Sequence, residues 1–139
     1  MLYRITRHTA LTSAHRPRLI ESTHTTTILT RRVSDDPTDV AFLIRAGRAV
    51  GLGLRITPEF FTPEAGVIRH SDEVLSQRLH AVVAVGLGHM AGQNTPWFFI
   101  RNSWGPTWGL QGHAWISGEY VAMHAACAFG VEHGQDYRQ

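Results

Sequence analysis

His80 opens one apolar run, His80-Ala81-Val82-Val83-Ala84-Val85, and Asn102 closes another, Trp97-Phe98-Phe99-Ile100-Arg101-Asn102. If the two runs are antiparallel neighbours, the start of one lies beside the end of the other, and the two polar side chains meet at one edge of a sheet. Such a pair has a chemical use. A histidine acting as general base needs its ring held in one tautomer and one orientation, and a side-chain amide oxygen can hold it. Trp104 and Trp108 follow closely and can keep water off the pair. Taken singly, a strand histidine and a turn asparagine more often serve structure than chemistry.

The elements that position these residues begin with a short helix over Thr38 to Ala46. Thr38 suits its N-cap, Asp39 its first turn, and Gly47 the left-handed residue after its end. From Ala49 to Ile56 the pattern switches to period two, with Val50, Leu52, Leu54 and Ile56 on one face and Gly51, Gly53 and Arg55 on the other. Glycines along one strand face signal a close approach to the backbone. Pro58 to Arg69 reads as an irregular crossing anchored by Phe60, Phe61, Val67 and Ile68, and Ser71 to Gln77 as a polar loop. Ala81–Val85, Trp97–Arg101 and His113–Ser117 are strand candidates, with Gly86-Leu87-Gly88 and Gly105 to Gly112 as connections. Residues 23–30 have strand propensity, and Glu119 to His124 suits a short helix anchored by Tyr120. One short helix followed by strands with glycine-rich turns implies an antiparallel α+β domain built as a half-open barrel.

Composition narrows the function classes. A chain of 139 residues with 43% hydrophobic and 17% charged residues has room for one domain with a core. All 13 basic residues are arginines, scattered except for Arg31-Arg32, and the formal net charge is +2, so no nucleic-acid footprint stands out. There is no run of about 18 apolar residues to span a membrane, and no N-terminal apolar stretch of about 7–15 residues to act as a signal peptide. The expected setting of the chain as it stands is cytoplasmic, without membrane association. Nine histidines show no metal-ligand spacing, and a single cysteine, Cys127, excludes an internal disulfide. No metal and no cofactor is expected. Gly86-Leu87-Gly88 lacks the third glycine and the following helix of a dinucleotide fingerprint.

The combination of motifs is more specific than its parts. His80-Ala81-Val82 with Val85-Gly86-Leu87-Gly88, then Asn102-Ser103-Trp104-Gly105-x-x-Trp108-Gly109-x-x-Gly112, resembles the second half of the papain and cathepsin family of cysteine peptidases. Gly47 to Leu52 and Phe60 with Gly66-Val67-Ile68 extend the resemblance, which covers roughly residues 38–131. It implies a papain-like C-terminal lobe over 38–131, preceded by a poorly defined segment 1–37 and followed by a frayed tail 132–139. By resemblance His80 is the catalytic base, Asn102 orients its imidazole, and Trp104 shields their contact. Trp108 lines the leaving-group side of the cleft, and Ala81 belongs to the main specificity pocket, where a small residue leaves room for an apolar substrate side chain. The substrate implied is polypeptide.

The family's nucleophile lies in a Gln…Cys-Gly-Ser-Cys-Trp context, and this sequence has no such segment. Histidine alone cannot carry out covalent acyl transfer. Cys127, in Cys127-Ala128-Phe129-Gly130-Val131, resembles a late structural cysteine of the family and is expected to be a small buried thiol. Three readings of the missing nucleophile stand: a split enzyme whose partner lobe supplies cysteine and glutamine, a truncated reading frame, or a catalytically inactive peptidase-like module that binds peptide or a protein partner. A half-domain would also expose a partly apolar face, which implies association with a complementary lobe or with itself.

Overall fold

The structure, a computed structural model, describes residues 2–5, 26–75 and 79–133. Its framework is one eight-stranded sheet with three short helices, an α+β arrangement. In chain order the elements are β1 (Leu2–Ile5), β2 (Thr26–Val33), α1 (Pro37–Arg45), β3 (Val50–Arg55), α2 (Pro58–Phe61), β4 (Val67–Ile68), β5 (Leu79–His89), β6 (Pro96–Arg101), β7 (His113–Ser117), α3 (Gly118–His124) and β8 (Ala125–His133). Across the sheet they run β1-β2-β8-β3-β5-β6-β7-β4. Every pair is antiparallel except β4 with β7, which is parallel. Among the described residues no helix is long and apolar enough to cross a membrane.

Strand β3 organises the core. Val50, Leu52 and Leu54 are buried on one face and pair with Ala84, Val82 and His80 of β5. Helices α1 and α3 pack on that face, and the core closes around Val40, Phe60, Phe98, Ile100, Ile116 and Tyr120. Gly51 and Gly53 turn the other way, as the period-two pattern implied. Helix α1 ends as expected: Gly47 adopts φ +78°, and Gly47 N and Arg48 N donate to the carbonyls of Ile44 and Leu43. Its start differs. The N-cap is Asp36, whose Oδ1 accepts from Thr38 N at 2.8 Å, and not Thr38 itself. Pro37 explains the shift, because a residue with fixed φ and no N–H belongs at the first helical position and places the cap before it.

Four other segments depart from expectation. Gly86-Leu87-Gly88 is not a connection but lies inside β5, which shifts register between Ala84 and Gly86. A Cβ on Gly86 would come within 3.1 Å of Phe99, and one on Gly88 within 3.0 Å of Trp115. These glycines clear space for rings projecting from β6 and β7. The crossing from Pro58 to Arg69 contains α2 and β4, and of its expected anchors Phe60 and Ile68 are fully buried whereas Phe61 is half exposed. The strand expected over residues 23–30 is β2 and runs Thr26–Val33, and β8 continues to His133, into the stretch expected to fray. Residues 23–25 and 134–139 lie outside the described residues.

Candidate active site

The register of β3 with β5 places His80 opposite Leu54, on the covered face of the sheet. Asn102 follows the last residue of β6, and its backbone N–H donates to Gly112 O at 2.9 Å, which ties the end of the strand to the start of β7. The two side chains meet, with His80 Nε2 2.8 Å from Asn102 Oδ1. The same oxygen accepts from Ser103 N at 2.8 Å. An N–H pointing at this atom identifies it as the amide oxygen, so His80 Nε2 must be the donor. In the neutral ring Nδ1 then carries the lone pair. Asn102 is 7% exposed, so the contact is made largely away from water.

Two aromatic rings pack on His80 on the covered face, and two more back them. Trp104 lies 4.8 Å from the His80 ring, centroid to centroid, and Phe60 meets His80 edge-on at 5.5 Å. Phe61 stacks on Trp104 at 5.2 Å and 28°. Trp108 sits behind them, 6% exposed, with its indole N–H donated to Phe60 O at 2.8 Å. Its ring is thus turned inward against Phe60 and contributes only an edge to the surface. The loop carrying both tryptophans depends on left-handed backbone at Gly105, Gly109, Gln111 and Gly112. A Cβ on Gly109 would collide with His113 O, so glycine is required there.

Ala81 and Cys127 stand on the other face of the sheet. Both pair with Gly53, one from each side, and together they line a trough of about 900 Å³ that reaches Asn102 and Ser103 at one end. Cys127 is half-buried in β8, and the expectation of a buried thiol is corrected. The reason is strand alternation: Ala128 and Gly130 face the core, so Cys127 and Phe129 face out. Phe60 and Phe61 also belong to the site, and the sequence signals them only by a proline-bounded segment with two adjacent aromatics and by the resemblance of Phe60 with Gly66-Val67-Ile68.

The family model described as papain family cysteine protease matches residues 6–133. Pro-cathepsin H of Bos taurus is 33% identical over 82 residues, covering 57% of this chain and 24% of that protein. The chain therefore spans about a quarter of that relative's length. Among solved structures, digestive procathepsin L 3 of Tenebrio molitor larval midgut superposes with a TM-score of 0.62 at 23% identity, over 81% of this chain and 38% of that one. Xylellain, a cysteine protease from Xylella fastidiosa, gives 0.57 at 22% identity, over 77% and 40%. Both structures show likeness of fold. With a match to the family model over nearly its whole length, this chain belongs to the papain family of cysteine proteases.

Proposed function

We propose that this chain is the C-terminal lobe of a papain-like peptidase, supplying the general base His80 and the orienting Asn102 for hydrolysis of peptide bonds, while the nucleophilic thiolate comes from a partner lobe. The observation that carries this reading is the 2.8 Å contact of His80 Nε2 with Asn102 Oδ1. It leaves Nδ1 free to take the proton of a thiol brought up to it. The thiolate would attack the substrate carbonyl, the imidazolium would protonate the departing amine, and water activated by the same nitrogen would release the acyl group from the thioester. Trp104 shields the His80–Asn102 contact, and Trp108 supports Trp104 and Phe60 from behind. Ala81, with Gly53 and Leu79, leaves room for an apolar side chain of an extended polypeptide substrate. No cofactor or metal enters this chemistry.

The alternative is a peptidase-like module that binds peptide or protein without catalysis. It draws support from Cys127, the one thiol in the sequence, which faces away from His80. An assay separates the two. The purified chain would be incubated with a fluorogenic peptide and a thiol-directed epoxide, alone and with a polypeptide carrying the Gln…Cys-Gly-Ser-Cys-Trp segment. Activity and epoxide labelling that require both chains support the split-enzyme reading. Activity of the isolated chain that survives Cys127→Ala contradicts the account of the nucleophile. Tight association with no turnover favours the binding module.

A further inference from the structure

At the far end of β5 from His80, four aromatic rings project from the outward face of β6 and β7. His113 stacks on Phe99 at 5.0 Å and 10°, and Phe99 packs against Trp115 at 4.9 Å and 41°. The far edge of Trp115 reaches across β6 to Gly88 of β5, where a Cβ would come within 3.0 Å of its ring. Trp97 pairs with Gly88, and its indole N–H donates to Gln93 Oε1 at 3.3 Å. The two indoles border a slot of about 180 Å³, with Gly88 as its floor and Met90, His89 and Val67 completing its lining. Gly88 lies about 26 Å beyond His80 along β5, at about 3.3 Å per residue, so the slot is separate from the candidate active site.

The walls are held apart. Trp115 is backed by the stack of Phe99 and His113, and Trp97 is tied to Gln93. Trp97 is opposite Ser117 and Trp115 is opposite Phe99, so the two tryptophans are diagonal neighbours across β6 and β7. Diagonal positions stand about 7–8 Å apart, and carbon–carbon contact takes about 3.5–4.0 Å, so the gap accepts the thickness of one ring. Charge and hydrogen bonding then select the ring. No carboxylate and no guanidinium lines the slot, which suits an uncharged occupant and disfavours a phosphate chain. Apart from the indoles, His89 is the one lining side chain with a hydrogen-bonding group, too few partners for the hydroxyls of a sugar. An ordinary peptide would bring N–H groups over β6, whose backbone is already used by β5 and β7. Proline has no N–H, and a proline-rich segment holds an extended helix without internal hydrogen bonds, so it loses little freedom on docking. Its carbonyls need only donors, and the ring of His89 and the side-chain amide of Gln93 can supply them.

We propose that the slot between Trp97 and Trp115 seats a proline ring from a proline-rich segment of a partner polypeptide. This end of the sheet is then a second peptide-binding site, apart from His80 and Asn102, and it works whether or not the chain takes part in hydrolysis.

The test uses the full chain and a synthetic decaproline peptide, with a serine–alanine peptide of equal length, cellohexaose and oligothymidylate as comparison ligands. Binding is read from the indole N–H NMR signals of the four tryptophans, each assigned by a Trp→Phe variant. Decaproline should shift the signals of Trp97 and Trp115 and leave those of Trp104 and Trp108 in place. Its affinity should change little with salt, because the slot is uncharged. The serine–alanine peptide should bind at least about tenfold more weakly, and Trp97→Ala should weaken decaproline binding by about tenfold or more. If Trp97→Ala disturbs the fold, Met90→Glu, at an exposed position on the rim, should also weaken it by placing a carboxylate beside the proline carbonyls. The proposal is overturned if decaproline shifts no indole signal, or only those of Trp104 and Trp108. It is equally overturned if the serine–alanine peptide binds as well, or if both variants bind like the parent. Tighter binding of cellohexaose or oligothymidylate at Trp97 and Trp115 would give the slot to a sugar or a nucleic-acid base instead. Because the readout involves no turnover, an inactive chain that binds decaproline leaves this site standing, and an active chain that does not bind it leaves the catalytic reading standing alone.

Discussion

His80 and Cys127 stand on opposite faces of one sheet, although the strands that carry them both pair with β3. Leu54 of β3 faces His80, and Gly53, one residue earlier, faces Cys127. Adjacent positions on a strand point to opposite sides. The separation therefore cannot be closed by a rotamer change. It would take a register slip of β8 or β5, which would turn a buried strand face toward solvent.

The first expected outcome follows from this separation. Alkylation of Cys127 by a small maleimide should proceed in the native chain, because the thiol lines an open trough. It should leave the imidazole NMR signals of His80, recorded at one fixed pH, unchanged. Signals displaced by alkylation would mean that the two groups communicate across the sheet.

Asn102→Ala should act on the orientation of His80 more than on the fold. Losing the acceptor at 2.8 Å frees the ring to exchange tautomers, and the fraction of neutral Nε2–H tautomer, read from the ring nitrogen shifts, should fall. On the proposed split-enzyme reading, an assay with a polypeptide carrying the Gln…Cys-Gly-Ser-Cys-Trp segment should show kcat lower by about 10- to 100-fold, the scale of a misplaced catalytic group. His80→Ala should cost more, about 100- to 10,000-fold, since proton transfer itself is lost. Equal losses in the two variants would argue that Asn102 does more than orient.

Trp108→Phe tests the support behind the site. The indole N–H donates to Phe60 O at 2.8 Å in a buried setting, and phenylalanine leaves that carbonyl without its donor. The cost should be about 1–3 kcal/mol of unfolding free energy, measured by urea denaturation. Trp104, which packs edge-on against Trp108, should become more mobile, with faster quenching of its fluorescence by acrylamide. A variant as stable as the parent would show that the bond is not important.

Tyr120 should give stability an alkaline limit. It is fully buried, its hydroxyl donates to Arg55 O at 3.3 Å, and burial pushes its pKa above the ordinary tyrosine value. The folded chain therefore holds this proton to higher pH than the unfolded chain does. Stability from Tyr120 is fully present below the unfolded tyrosine pKa of about 10 and is lost as pH rises through the higher folded value. Denaturation midpoints should fall above about pH 10 in the parent. In Tyr120→Phe that part of the alkaline slope should disappear.

Much of this architecture was legible in the sequence, for identifiable reasons. The alternation of Val50, Leu52 and Leu54 with glycines defined β3, because a half-covered strand has only one way to bury three branched side chains. The meeting of His80 with Asn102 followed from a single antiparallel pairing. What escaped depended on partners distant in the chain. Gly86 and Gly88 resemble turn residues until Phe99 and Trp115 are placed across from them. Cys127 resembles a core thiol until the register of β8 on β3 fixes which way it points. The inward turn of Trp108 depends on the carbonyl of Phe60, 48 residues earlier.

The strand order has a consequence for biosynthesis. Strand β8, the last made of the eight strands among the described residues, is the one that joins β2 to β3. Until it leaves the ribosome, the paired strands β1 and β2 have no seat on the rest of the sheet, and one side of β3 has no hydrogen-bonding neighbour. A ribosome paused before Ala125 would present an open sheet edge to its surroundings, the kind of template on which other chains pair. The nascent sheet is thus most exposed to misassembly just before β8 arrives.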